Sequence, residues 1–170
     1  MQAVEAALAD LKPAEIYVGS VKTENMNFVR RYIMDDGSLT GDNYPGTGTK
    51  RVAHETEADR EVQLLKFVRE GGKDILISQF QAHPHLETKT NNVSAQTVGA
   101  IRDAVEKQLD AHSLHWQGAA GNLNPLSDIA EEQATVPENV MVYGHKVGDY
   151  VLQAMENMKD VATGPVQIKK

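Results

Sequence analysis

The chain has 170 residues, 41% apolar and 24% charged, which is ordinary globular usage and enough for one hydrophobic core. Acidic side chains number 24 against 17 basic, a formal charge of -7 with no dense Lys/Arg run, so a nucleic-acid-binding face is not expected. There is no cysteine, which excludes disulfides and leaves His, carboxylate, hydroxyl and backbone groups as the only metal ligands. No apolar run approaches the roughly 20 residues needed to span a bilayer. The first residues, Met1 to Leu11, lack the basic start and apolar stretch of a signal peptide, and the compartment stays open.

In chain order, Val4, Leu8 and Leu11 share one helical face, so a short amphipathic helix is predicted from Gln2 to Leu11, stopped ahead of Pro13. Ile16 to Val21 and Asn27 to Met34 read as strands, the second ending at the turn Asp35-Asp36-Gly37-Ser38. From Ser38 to Arg51 the chain is a Gly/Thr/Asn/Pro-rich loop with little to bury. Val62 to Val68 and Ile75 to Gln81 are two apolar-rich runs around Glu70-Gly71-Gly72-Lys73-Asp74, the pattern of a β-hairpin with a glycine turn. Ile75-Leu76-Ile77 is continuously apolar, which predicts a central, buried strand.

Val98, Ile101, Val105 and Leu109 mark a helix starting near Ser94 as N-cap. Leu114 to Gln117 is a short strand, followed by the small-residue turn Gly118 to Pro125 and a polar loop, Asp128 to Glu138. Val140, Gly144, Val147, Val151, Met155 and Met158 trace a long helix, and Val166 to Ile168 reads as a last strand. Strands alternating with helices give the class α/β (or α+β): a mixed β-sheet with a β-hairpin and flanking helices, in one domain over residues 1–170.

Two places carry candidate chemistry. His83-Pro84-His85 follows the second hairpin strand, where a rigid proline would hold an imidazole still. Two readings stay open there: polar loop histidines, or one or two ligands of a metal site that needs three protein ligands. A third use of His83 is as a general base. In the turn Gly118 to Pro125, small residues permit positive φ, so amide N–H groups can converge on an anion or oxyanion. A plain strand-to-loop connection would look the same. His112 and His115 fall on opposite faces of an extended segment and are poor joint ligands. His54 and His145 are expected to face solvent, and Trp116 to be core.

Three stretches, in order, resemble the N-terminal catalytic domain of neutral/alkaline ceramidases. They are Leu11-Lys12-Pro13-Ala14-Glu15-Ile16-Tyr17-Val18-Gly19 with Asn27-Phe28-Val29-Arg30-Arg31-Tyr32, then Val62-Gln63-Leu64-Leu65-Lys66-Phe67 to Ala82-His83-Pro84, and then Val93-Ser94-Ala95 with Gln117-Gly118-Ala119-Ala120-Gly121-Asn122-Leu123-Asn124-Pro125. The resemblance implies a zinc-dependent amidohydrolase cleaving an N-acyl, ceramide-like lipid amide, in a family that is often secreted. It implies His83 as a zinc ligand, and Gly121, Asn122 and Asn124 at the substrate, with Asn124 where the family carries a serine. Gln96 and Val98 stand where the family has Asp and Pro. The family's upstream His-x-His and downstream Glu and Tyr ligands have no counterpart, so the chain is expected to be the central part of a larger catalytic domain, inactive alone. The alternative is a non-catalytic binding or structural module on the same scaffold. A homo-oligomer is a further expectation, since an exposed sheet edge invites self-association.

Overall fold

The computed structural model describes residues 2–41, 48–86, 91, 93–125, 137–161 and 164. In chain order the elements begin α1 (Gln2–Ala9), β1 (Ala14–Lys22), β2 (Asn27–Val29), β3 (Arg31–Met34), β4 (Leu39–Gly41) and β5 (Arg51–His54). They continue with β6 (Glu61–Arg69), β7 (Asp74–Phe80), α2 (Gln96–Gln108), β8 (Ala111–Gln117), β9 (Leu123–Pro125), α3 (Pro137–Ala154) and β10 (Lys159–Asp160). The predicted class holds: a five-stranded mixed sheet, two small antiparallel sheets and three helices, an α+β arrangement consistent with part of a larger domain.

The main sheet has the order β10-β1-β6-β7-β8. β6 and β7 form the predicted hairpin, Leu65 opposite Ile77 and Phe67 opposite Ile75, around a turn where Gly71 takes φ +66. β8 returns parallel to β7 through α2, a connection that a parallel pair requires. Because side chains alternate, the register sorts the sheet into two faces. On one lie Leu64, Leu76, Ser78 and Phe80, buried beneath α2 and α3 together with Ile101, Val105, Val147 and Val151. The other carries three cross-strand rows: Ile16–Phe67–Ile75–His112, then Val18–Leu65–Ile77–Leu114, then Ser20–Gln63–Gln79–Trp116.

Several boundaries differ from expectation. The predicted strand 27–34 is two strands in two sheets: Arg30 breaks it, its N–H donating to the carbonyl of Asn122, while β2 pairs with β9 and β3 with β4 and β5. β4 lies inside the predicted loop, whose residues 42–47 fall outside the described residues. β8 starts three residues earlier than expected, and β9 lies within the predicted turn. The helix cap at Ala95 has no side-chain bond, and Ser94 Oγ instead accepts the Gln96 N–H. The apolar face of α1 is exposed, with Val4, Leu8 and Leu11 each more than 60% accessible. Trp116 is exposed as well, not core. The predicted strand 166–168 and most of the polar loop lie outside the described residues.

The helices meet through glycines. A Cβ on Gly148 would lie 2.6 Å from Ala104 Cβ, and one on Gly144 would collide with Ala100 Cβ and come within 3.0 Å of the Thr97 carbonyl. An exposed helical Gly→Ala gains up to about 1 kcal/mol from propensity, but overpacking costs about 1–3 kcal/mol. Gly144→Ala is therefore expected to lower the unfolding free energy in urea, and a neutral or stabilising result would mean that the helices stand further apart.

Candidate functional site

β7 continues past Phe80 into Gln81, Ala82 and His83, and the polar backbone there is held from several sides. The Phe80 carbonyl accepts the Gly118 N–H at 3.0 Å, and the Ala82 carbonyl accepts Gln117 Nε2 at 2.7 Å. The His83 N–H donates to the Leu123 carbonyl at 2.9 Å. Asn27, only 1% exposed, donates its Nδ2 to the carbonyls of both Gln81 and Asp59, each at 2.6 Å. Gln81 Nε2 in turn donates to Asp59 Oδ2 at 2.7 Å, and Asp59 Oδ1 accepts the Glu61 N–H. A Cβ on Gly118 would overlap Gln81 Oε1 and lie 3.0 Å from the Phe80 carbonyl.

The two candidate motifs meet directly. His83 Nε2 accepts the Gly121 N–H at 2.8 Å. An acceptor Nε2 places the proton of a neutral ring on Nδ1. Gly121 holds φ +80, a conformation that favours glycine, and the turn around it is exposed. The His85 ring stands edge-on to His83 with centroids 4.9 Å apart, after a tight turn over Pro84 in which the His85 N–H donates to the His83 carbonyl. Asn122 is half-buried, and its backbone is tied to Ala120 and Arg30. Asn124 is buried in β9 opposite Phe28.

This arrangement brings His83, His85 and the Gly121 amide together, with Asn122 next in the turn and Asn124 two residues further on in β9. The imidazole lone pair and the amide N–H occupy each other. Any group that takes Nε2 frees the Gly121 N–H as a donor toward an anion. Zinc, which the resemblance implies, needs three protein ligands at a catalytic site. Among the described residues no three His, Asp or Glu side chains meet, and the two neighbouring imidazoles do not by themselves fit a catalytic zinc.

The remaining histidines lie elsewhere on the fold. His54 is exposed, as expected, with its ring against Tyr32 at a centroid distance of 4.6 Å and its Nδ1 bonded to the Val29 carbonyl. His145 is half-buried with its Nε2 out of contact with water. His112 is exposed on the outer sheet face, and His115 lies on the helix-covered face, where Nδ1 is 3.0 Å from Ser78 Oγ. The amide network of Asn27, Asp59 and Gln81 was not legible from local sequence. Its one signal was an asparagine opening a strand, where that residue is depleted.

The fold resembles part of two solved ceramidase structures. No protein-family model and no curated protein sequence matches the chain. Among solved structures, a neutral ceramidase from Pseudomonas aeruginosa superposes with a TM-score of 0.67 at 19% identity, over 91% of this chain and 24% of that one. A ceramidase complexed with C2 superposes with a TM-score of 0.65 at 20% identity, over 89% of this chain and 24% of that one. The chain thus spans about a quarter of the length of the structures it matches.

Burial pulls the His115 imidazole from 6.5 down to about 4. Between those values the unfolded chain takes up a proton that the folded chain refuses, so stability rises with pH across the window. The contribution of the neutral ring is complete above about pH 6.5 and is lost as pH falls toward 4, on the order of 3 kcal/mol in all. Urea midpoints are expected to drop steadily from pH 6.5 to 4, with a shallower slope in His115→Gln. Equal slopes in the two proteins would place the ring in water.

Proposed function

We propose that this chain is the strand-end and glycine-turn portion of a ceramidase-like zinc amidohydrolase acting on an N-acyl, ceramide-like lipid amide, with His83 as one metal ligand. The observation that carries the reading is the 2.8 Å contact between Gly121 N–H and His83 Nε2, which joins the strand-end imidazole to the glycine turn on a ceramidase-like fold. In a complete site of this kind, zinc supplies water activated near neutral pH. This chain's own part is to hold His83 still, and to offer the Gly121 N–H once Nε2 is engaged. Asn122 and Asn124 border the substrate in this reading. An asparagine at 124 can donate a hydrogen bond but cannot act as a nucleophile.

A second reading, a non-catalytic binding or structural module, is favoured by one observation: the described residues gather no third ligand beside His83 and His85. The two readings separate on metal binding. Zinc measured by mass spectrometry and calorimetric titration, on tag-free protein, is expected to be weak and to vanish in His83→Ala. Equal zinc in the wild type and His83→Ala would contradict the assignment of His83, and no zinc in either would favour the module.

A further inference from the structure

The strand end is also reached from α3, through residues 23–26, which join β1 to β2. Thr23 closes the start of this segment: its backbone N–H and its hydroxyl both donate to the Arg60 carbonyl, at 2.8 and 3.1 Å. Asn25 follows, exposed and in the left-handed region at φ +52. A residue other than glycine keeps that conformation only where its surroundings hold it. Here α3 holds both flanks. Tyr150 Oη accepts the Glu24 N–H at 3.1 Å on one side of Asn25, and Tyr143 Oη donates to the Met26 carbonyl at 2.6 Å on the other. The two tyrosines are seven residues apart, on one face of the helix.

The two bonds differ in their surroundings. Tyr150 is half-buried, whereas Tyr143 and Met26 are both buried, so no water replaces the Tyr143 hydroxyl if it is lost. Burial also holds this phenol above its ordinary range, which keeps the proton on the oxygen and the oxygen a donor. The carbonyl it binds belongs to the peptide unit between Met26 and Asn27. That unit is planar, so fixing the Met26 oxygen also fixes the nitrogen and Cα of Asn27. Asn27 then passes the constraint on, because its Nδ2 serves the Asp59 and Gln81 carbonyls, each at 2.6 Å. Gln81 stands two residues before His83, whose Nε2 accepts the Gly121 N–H. One peptide plane and one side-chain amide thus separate the Tyr143 hydroxyl from the backbone that carries the imidazole.

We infer that Tyr143 is a positioning residue for the strand end: its hydroxyl sets the Asn27 amide, and through it the place of His83 against Gly121. Any part Tyr143 plays in hydrolysis rests on the proposed function, whereas the positioning belongs to the chain alone and is read without metal. Proton–nitrogen NMR of the metal-free chain tests it. In the wild type the two Asn27 side-chain amide protons and the Gly121 N–H are expected to exchange slowly. Tyr143→Phe, which keeps the ring and removes the hydroxyl, is expected to speed all three by about tenfold and to move the His83 ring-nitrogen shifts. Val105→Ala, a cavity in α2 that lowers stability and leaves the hydroxyl in place, is expected to keep those shifts at their wild-type positions. A folded Tyr143→Phe with the Asn27, Gly121 and His83 signals unmoved would overturn the inference. Equal displacement of those signals in Val105→Ala would overturn it too, by tracing the effect to lost stability. The wild type gives a reading that needs no variant: the Tyr143 hydroxyl proton is expected in slow exchange, and a proton too labile to observe would remove the bond on which the inference stands.

Discussion

When β7 leaves the sheet after Phe80, its backbone stays buried but loses the ladder that satisfied it. A buried amide or carbonyl without a partner costs about 1–3 kcal/mol, so the path of residues 80–83 depends on replacements for those bonds. Asn27, Gln117, Gly118 and Leu123 supply them, from β2, β8, the turn and β9. Asn27 matters most, since one buried amide nitrogen serves two carbonyls, those of Asp59 and Gln81. The small β2–β9 sheet brings the Asn27 donor and the Leu123 acceptor to the strand end, and the position of His83 follows from it.

The consequence is a site whose imidazole and amide are both tied to one turn. His83 is anchored through its own N–H to Leu123, two residues from the Gly121 that caps its ring. The same turn therefore sets both the imidazole and the amide that would face a developing oxyanion. The glycines act at defined points: Gly118 admits the Gln81 amide, and Gly121 takes positive φ. The core on the other side of β7 is conventional, with α2 and α3 meeting at Gly144 and Gly148 and Val151 over the sheet.

What the sequence made legible was local. The β6–β7 hairpin could be read because two apolar runs flank Gly71-Gly72, and both long helices because their apolar spacing is regular. The break at Arg30 could not be read, since the reason for it is Asn122, far along the chain. The Asn27 network joins residues 32 and 54 positions apart, beyond any periodic pattern. His145 looked solvated because Lys146 follows it in sequence, whereas the fold half-buries it. The outer sheet face was hidden for a related reason: continuous hydrophobicity in Ile75-Leu76-Ile77 predicts burial on both sides, and the described residues provide only one of them.

Everything at the strand end turns on one hydrogen-bonded unit of the His83 imidazole and the glycine turn. It is tested most directly by long-range proton–nitrogen correlation NMR of the His83 ring above pH 7, with the Gly121 amide followed in the same sample. The expected result is an unprotonated Nε2, a proton on Nδ1, and a Gly121 amide protected from exchange that loses its protection in His83→Ala. A proton on Nε2, or a Gly121 amide that exchanges as freely as its neighbours in both proteins, would separate the two motifs and contradict the account.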